Sequence, residues 1–100
     1  MRKHYESNLI ELIGRRGFYP ILKLIKENNK VILSDMLEIA ASGTSLDRRE
    51  DLLNLKLIRE ERQKIGRRTY TFYKLTPKGE KILSLLEEII KILKEEEWYG

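Results

Sequence analysis

The sequence predicts an α+β fold that is mostly helical and carries one β-hairpin, within a single domain of 100 residues. A chain of this length forms one hydrophobic core. An uninterrupted β-branched and aromatic run, Thr69–Leu75, predicts a strand. The segment after Thr76-Pro77 repeats its apolar residues at intervals of three and four, which predicts a long helix over residues 77–97.

The first third of the chain is predicted to be helical, with a break at Gly14–Gly17. Apolar residues at helical spacing from Tyr5 to Ile13 predict a short helix within residues 1–16. A second helix is predicted to begin at Phe18–Pro20, where proline suits the first turn, and to end at Asn28-Asn29. Residues 30–33 then form a short strand-like run.

Two helices separated by a glycine-containing turn are predicted next. Ser34-Asp35 caps a helix that continues to about Ala41, Ser42-Gly43-Thr44 forms the turn, and a second helix covers Ser45–Leu55. Thr44 or Ser45 can cap this second helix. Its leucines are expected to hold it to the core: Leu46, Leu52, Leu53 and Leu55. This spacing is typical of a helix-turn-helix.

The predicted hairpin carries a concentration of positive charge at its tip. Residues 48–74 contain nine cations and four acids, which gives +5 and exceeds the +4 of the whole chain. The tip cations surround Gly66 without an intervening acid: Arg62, Lys64, Arg67 and Arg68. Such a block beside acidic segments indicates a surface for polyanions, and nucleic acid is the first candidate.

Alternation along the second strand of the hairpin divides its side chains between two faces. Tyr73 and Leu75 are expected to pack on the core. Tyr70 and Phe72 point the other way and belong to a second buried face or to a subunit contact, rather than to a platform for base stacking.

The C-terminal helix is predicted to begin at the cap Thr76, with Pro77 in its first position. Its apolar residues occupy more of its circumference than one small domain covers. We therefore expect a homodimer that forms through this helix. The residues expected in the interface are Ile82, Leu85, Leu86, Ile89, Ile90 and Leu93.

The composition disfavours several other classes of function. The sequence has no cysteine and one histidine, His4, so we expect neither catalytic residues nor a metal or cofactor site. It has no long apolar run, and we expect a cytoplasmic, nucleoid-associated protein without a membrane partner. Abundant Lys and Glu with a single glutamine, Gln63, are typical of a thermophile.

The order of predicted elements and two short motifs resemble a known class of proteins. The stretch LNLKLIRE leads into the hairpin and YKLTPKGEKI leaves it, with an aromatic-x-Leu-Thr-x-x-Gly pattern at Tyr73, Leu75, Thr76 and Gly79. Over about residues 18–93 the chain resembles winged helix-turn-helix transcriptional regulators of the MarR, PadR and ArsR superfamily, in particular their small archaeal members. One departure is Lys56, where the relatives usually have glycine.

The resemblance implies a dimeric regulator of double-stranded DNA with a winged-helix core over residues 18–76. Its second helix-turn-helix helix would enter the major groove with Thr44, Ser45, Arg48 and Arg49. The hairpin would be the wing, placing its tip cations on the neighbouring backbone or in the minor groove. Repression by occlusion of the promoter would follow.

Two questions stay open from the sequence, the role of two arginines and the class of function. Arg48 and Arg49 either reach the DNA or pair with Asp47, Glu50 and Asp51 on a solvated helix. The protein is a sequence-specific regulator, a non-specific, chromatin-like architectural DNA binder, or a protein-interaction module on a winged-helix fold. The unpaired cations of the wing favour the first two over the third.

Overall fold

The structure is a computed structural model that describes the backbone of residues 2–95 and the side chains of residues 6–95. The predicted class is confirmed, because the described part is mostly helical and contains one antiparallel hairpin. In chain order the elements are α1 (Arg2–Ile13), α2 (Phe18–Asn28), α3 (Leu33–Leu37), α4 (Ser42–Asn54), β1 (Ile58–Ile65), β2 (Arg68–Leu75) and α5 (Pro77–Leu93).

Helix α2 forms the centre of the hydrophobic core. Its buried residues Phe18, Ile21, Leu22 and Ile25 follow the i, i+3, i+4, i+7 pattern of one helix face, and each is at most 1% exposed. The core is completed from every other described element except α1, by Val31, Met36, Leu52, Leu57, Ile58, Tyr73 and Leu83. The predicted helix is confirmed.

The predicted strand-like run at residues 30–33 is reduced to one residue that bridges to the hairpin. Val31 donates to and accepts from the backbone of Tyr73, at 3.1 and 2.7 Å. The run ends there because α3 begins at Leu33. Asp35 fixes that start, since its Oδ2 accepts a 3.0 Å hydrogen bond from the Ile32 N–H. The prediction of a strand through Leu33 was therefore wrong.

The turn between α3 and α4 lies earlier in the chain than predicted. Residues 38–41 form it, and Ser42, Gly43 and Thr44 belong to the first turn of α4. The Ser45 hydroxyl lies 3.0 Å from both the Met36 and the Ala40 carbonyl oxygens. The Met36 carbonyl also accepts the Ile39 N–H at 3.0 Å, so the Ser45 hydroxyl adds a second partner there and ties the start of α4 to the end of α3 and to the turn.

Helix α4 ends in a Schellman motif at Lys56. The Leu57 N–H bonds the Leu52 carbonyl at 2.9 Å, and the Lys56 N–H bonds the Leu53 carbonyl at 3.0 Å. Lys56 has a φ of 60°, in the left-handed region. This explains why glycine is usual at this position in the proteins that the sequence resembles.

The two outer helices compare differently with their predictions. α1 ends at Ile13, within the predicted segment 1–16 and before the predicted break at Gly14, whereas α5 ends at Leu93, short of the limit of the predicted segment 77–97. Residues 96–97 of the second segment lie outside the described residues. Thr76 caps α5 as predicted, since its Oγ1 accepts a 3.0 Å hydrogen bond from the Gly79 N–H.

Candidate nucleic-acid interface

The hairpin is closed by a two-residue turn that presents its cations to solvent. Ile65 pairs with Arg68, so Gly66 and Arg67 form the loop. Gly66 has a φ of 64°, which fits the first central position of a type II′ turn. Arg62, Lys64, Arg67 and Arg68 are all exposed, and none forms an ion pair with the described residues. By contrast, Arg59 and Lys74 share Glu61, at 3.5 and 3.8 Å.

The strand register divides these cations between the two faces of the hairpin. Arg62 lies opposite Thr71, and Lys64 lies opposite Thr69. By alternation both share the face of Tyr73, whose hydroxyl is in contact with α4. Arg68, opposite Ile65, lies on the other face. The side of the hairpin that faces α4 therefore carries Arg62 and Lys64.

The reverse face of the hairpin is held by the loop between α2 and α3. Lys30 Nζ donates a 2.8 Å hydrogen bond to Gln63 Oε1 and lies 4.4 Å from the centroid of the Phe72 ring. Tyr70 and Phe72 are half-buried, with ring centroids 6.3 Å apart. The expectation that Tyr73 and Leu75 face the core is confirmed, because Tyr73 is 3% exposed and Leu75 packs against the core.

Two of the residues predicted to contact DNA from α4 lie inside the protein. Ser45 is fully buried beneath α3, and Arg48 is 7% exposed. Arg48 Nε lies 3.0 Å from Asp51 Oδ2, outside the direction of the N–H bond, so the contact is an ion pair rather than an aligned hydrogen bond. The aliphatic part of Arg48 packs beside Gly17. Of the two roles left open for Arg48, this placement favours the intramolecular pair.

The other two predicted residues of α4 lie at the edge of its exposed surface. Thr44 is half-buried. Arg49 is also half-buried, and its guanidinium joins two elements. Nη1 is 3.4 Å from the Tyr73 hydroxyl, and Nη2 is 3.3 Å from Glu50 Oε1. Arg49 thus connects the base of the hairpin to the exposed surface of α4.

The exposed face of α4 consists of residues that the sequence-based prediction did not select. It is formed by Gly43, Leu46, Asp47 and Glu50, at i, i+3, i+4 and i+7, and continues to Asn54. Leu46 was predicted to anchor the helix and is instead 36% exposed. The helical periodicity of the sequence could have located this face. Leu46 is six residues from the buried Leu52, which places it about 120° away around the helix axis.

The six residues predicted for the dimer interface divide into two groups. Ile82, Leu86 and Ile90 are half-buried against the chain itself, whereas Leu85, Ile89 and Leu93 are 52–57% exposed. Ile92, at 54%, belongs with the exposed group. On α1, Ile10 is 70% exposed.

Within the residues that the structure describes, no three His, Cys, Asp or Glu side chains are grouped so that they could hold a metal ion. In the same range, no helix is long and apolar enough to cross a membrane.

The arrangement of α2 to α4, the bridging Val31 and the β1–β2 hairpin is a winged helix-turn-helix, with α4 in the place of the recognition helix and the hairpin as the wing. Solved structures share it. A MarR-family transcriptional regulator from Porphyromonas gingivalis W83 superposes with a TM-score of 0.67 at 20% identity, over 90% of this chain and 89% of the other. The reduced form of the transcriptional regulator YodB from B. subtilis superposes with a TM-score of 0.73 at 13% identity, over 94% and 93%.

These likenesses establish the fold, and the predicted resemblance to winged-helix regulators is confirmed at that level. No family model matches the sequence, and no curated protein is similar to it in sequence.

Proposed function

We propose that this chain is a homodimeric double-stranded DNA-binding protein that acts as a sequence-specific transcriptional regulator, most simply a repressor by occlusion. The observation that carries the proposal is the set of exposed, unpaired cations on a hairpin beside α4. The winged-helix fold supports it, since both solved structures above are of transcriptional regulators. A cytoplasmic, nucleoid-associated location would follow.

The wing supplies affinity and placement in this proposal. Phosphate contacts by lysine and arginine are the main source of affinity for DNA and do not depend on base sequence. Arg62 and Lys64 share the face that points toward α4, and Arg67 lies at the tip. We therefore assign Arg62, Lys64 and Arg67 to the phosphate backbone or minor groove, with Arg68 on the outer side of the wing.

The exposed side of α4 enters the major groove in this proposal. Of the four residues predicted for this role, Arg49 and Thr44 keep exposed surface and stand at its edge. Ser45 and Arg48 lie on the buried side of the helix, where Ser45 bonds the Met36 carbonyl of α3 and the aliphatic part of Arg48 packs beside Gly17. The net positive charge of the proposed DNA-binding surface of the protein therefore comes from the wing.

The dimer forms through α5 in this proposal. Leu85, Ile89, Ile92 and Leu93 are each more than half exposed on one 17-residue helix. At roughly 1.5 Å per residue, such a helix offers an apolar surface about 25 Å long. A second copy buries it isologously and presents two α4 helices to the DNA.

Removing two wing cations tests the DNA surface. We expect the double variant Arg62→Ala and Lys64→Ala to bind every duplex more weakly. The negative slope of log K against log salt should become shallower by about 2, since each phosphate contact contributes about 0.9 to its magnitude. The control is Lys91→Ala with Lys94→Ala, which removes the same charge at the far end of the chain. Equal losses in both would show that net charge, not the wing, governs binding.

Substitutions of two isoleucines with nearly equal exposure distinguish dimerisation from DNA binding. Ile89 on α5 is 52% exposed, and Ile65 beside the wing turn is 51% exposed. We expect Ile89→Glu to give a folded monomer in sedimentation equilibrium, because it places a charge in the interface. Ile65→Glu should remain dimeric and bind DNA more weakly. A dimeric Ile89→Glu protein would contradict the assignment of α5.

Selection of bound duplexes from a random pool distinguishes this proposal from the two alternatives. A regulator yields a repeated half-site with two-fold symmetry. An architectural protein binds but enriches no sequence. Absence of duplex binding at low salt would leave the protein-interaction module as the remaining reading.

A further inference from the structure

The exposed face of α4 is chemically unsuited to phosphate. Gly43, Leu46, Asp47 and Glu50 form one continuous stripe that contains two acids and no cation. A helix that approached DNA with this face would bring carboxylates toward the polyanion, which costs binding energy unless a base edge compensates. In the major groove, carboxylates accept hydrogen bonds from the N4 amino group of cytosine, and aliphatic side chains contact the thymine methyl group.

One of the two carboxylates is held in place by the protein. Glu50 Oε1 is paired with Arg49 Nη2 at 3.3 Å, and Arg49 Nη1 lies 3.4 Å from the Tyr73 hydroxyl. Tyr73 is itself 3% exposed and joined to Val31 through the backbone. The Glu50 side chain is nevertheless 60% exposed. Oε1 of Glu50 is therefore paired with a guanidinium that also reaches the buried Tyr73, while the Glu50 side chain stays largely exposed.

We propose that Glu50 determines the sequence specificity of this protein by accepting a hydrogen bond from cytosine N4, and that Arg49 positions it. This rests on the proposed function and adds to it the class of base that α4 selects. Leu46, four residues earlier on the same stripe, contacts the C5 edge of a neighbouring pyrimidine. Binding to a duplex without the amino group leaves the carboxylate against the groove unpaired, so Glu50 contributes discrimination while the wing contributes affinity.

The proposal is tested by selecting duplexes from a random pool with the full chain and its Glu50 variants. Wild type should enrich cytosine at one fixed position of each half-site, with roughly 5- to 150-fold discrimination against other bases. Glu50→Ala should lose that preference. Glu50→Gln should shift it to adenine, because a carboxamide matches adenine N6 and N7. Glu27→Gln on the exposed surface of α2 makes the same charge change elsewhere and should leave the consensus intact.

The positioning role of Arg49 has a separate readout. Arg49→Met should lower the cytosine preference although Glu50 is unchanged, and Arg49→Lys should restore much of it by pairing with the carboxylate. Tyr73→Phe removes only the hydroxyl and should weaken the preference to a smaller degree. The free energy of unfolding, measured on the same samples, distinguishes a displaced Glu50 carboxylate from a destabilised fold.

The outcomes distinguish this inference from the proposed function beneath it. The same cytosine preference in wild type, Glu50→Ala and Glu50→Gln would overturn the inference and leave sequence-specific binding in place. An equal gain in affinity for all duplexes in both variants would overturn it as well, because Glu50 would then only repel phosphate. A wild type that enriches no sequence would overturn the proposed regulator together with this inference.

Discussion

Among the described glycines, Gly79 is the one where an added Cβ would make the shortest contact, so we expect Gly79→Ala to reduce the stability of the fold. A Cβ at this position would lie 1.9 Å from the Leu57 carbonyl oxygen, and the nearest atoms all belong to the Leu57 backbone. Ordinary contact begins at 3.4 Å, so α5 would have to move roughly 1.5 Å away from the segment between α4 and β1. Because the obstacle is backbone, no rotamer change relieves it.

The same contact region holds three hydrogen bonds that such a movement would strain. The Thr76 N–H donates to the Leu57 carbonyl at 3.0 Å, and Thr76 Oγ1 donates to the Lys56 carbonyl at 2.6 Å. The Gly79 N–H donates to Thr76 Oγ1 at 3.0 Å. Each contributes about 1 kcal/mol, overpacking adds about 1–3 kcal/mol, and the higher helix propensity of alanine returns about 1 kcal/mol. We expect Gly79→Ala to lower the free energy of unfolding by about 3–5 kcal/mol.

Urea unfolding at one fixed protein concentration measures this effect, with Gly43→Ala as the matched control. Gly43 also lies in the first turn of a helix, but a Cβ there meets nothing within 4 Å. Gly43→Ala should leave stability unchanged or raise it by up to about 1 kcal/mol. If Gly79→Ala is as stable as Gly43→Ala, close packing of α5 against Leu57 is not what requires the glycine.

Two further substitutions test how α4 is held at its ends. Lys56→Gly should raise the free energy of unfolding by about 1 kcal/mol in the same urea assay, because the side chain at a φ of 60° strains the backbone; a destabilised variant would contradict this. Ser45→Ala should lower it by about 1–2 kcal/mol, since the Ala40 carbonyl loses its donor and the Met36 carbonyl keeps only the Ile39 N–H. Ser34→Ala, at an exposed position, is its control and should change stability by less than about 0.5 kcal/mol.

The wing was predictable from the sequence because its determinants are local. Alternation from Thr69 to Leu75 fixes which side chains face the core, and Gly66 fixes where the chain turns. The motif that contains Thr76 and Gly79 was visible in the sequence, but the physical reason for the glycine was not. That reason is an approach to the Leu57 carbonyl, a contact between residues more than twenty positions apart.

The face of α4 was not predictable from residue type, because polar side chains take interior positions there. Ser45 is buried, with its hydroxyl against the carbonyls of Met36 in α3 and Ala40 in the turn, and the aliphatic part of the buried Arg48 fills space beside Gly17. Choosing the arginines and the serine as DNA contacts assumed that polar residues face outward. The helical phase of Leu52 and Leu55 contradicts that assumption. The predicted thermophilic and archaeal origin stays a prediction.

The two elements assigned to DNA share one support in the core. Tyr73 belongs to the second strand of the wing, bridges to Val31, and offers its hydroxyl to Arg49 of α4. Arg49 in turn pairs with Glu50, so one chain of contacts joins the root of the wing to the exposed face of α4. If the wing contacts phosphate and Glu50 reads a base, the register between those contacts is set by this buried tyrosine. For the same reason we expect changes at Tyr73 to alter base preference before they alter overall affinity.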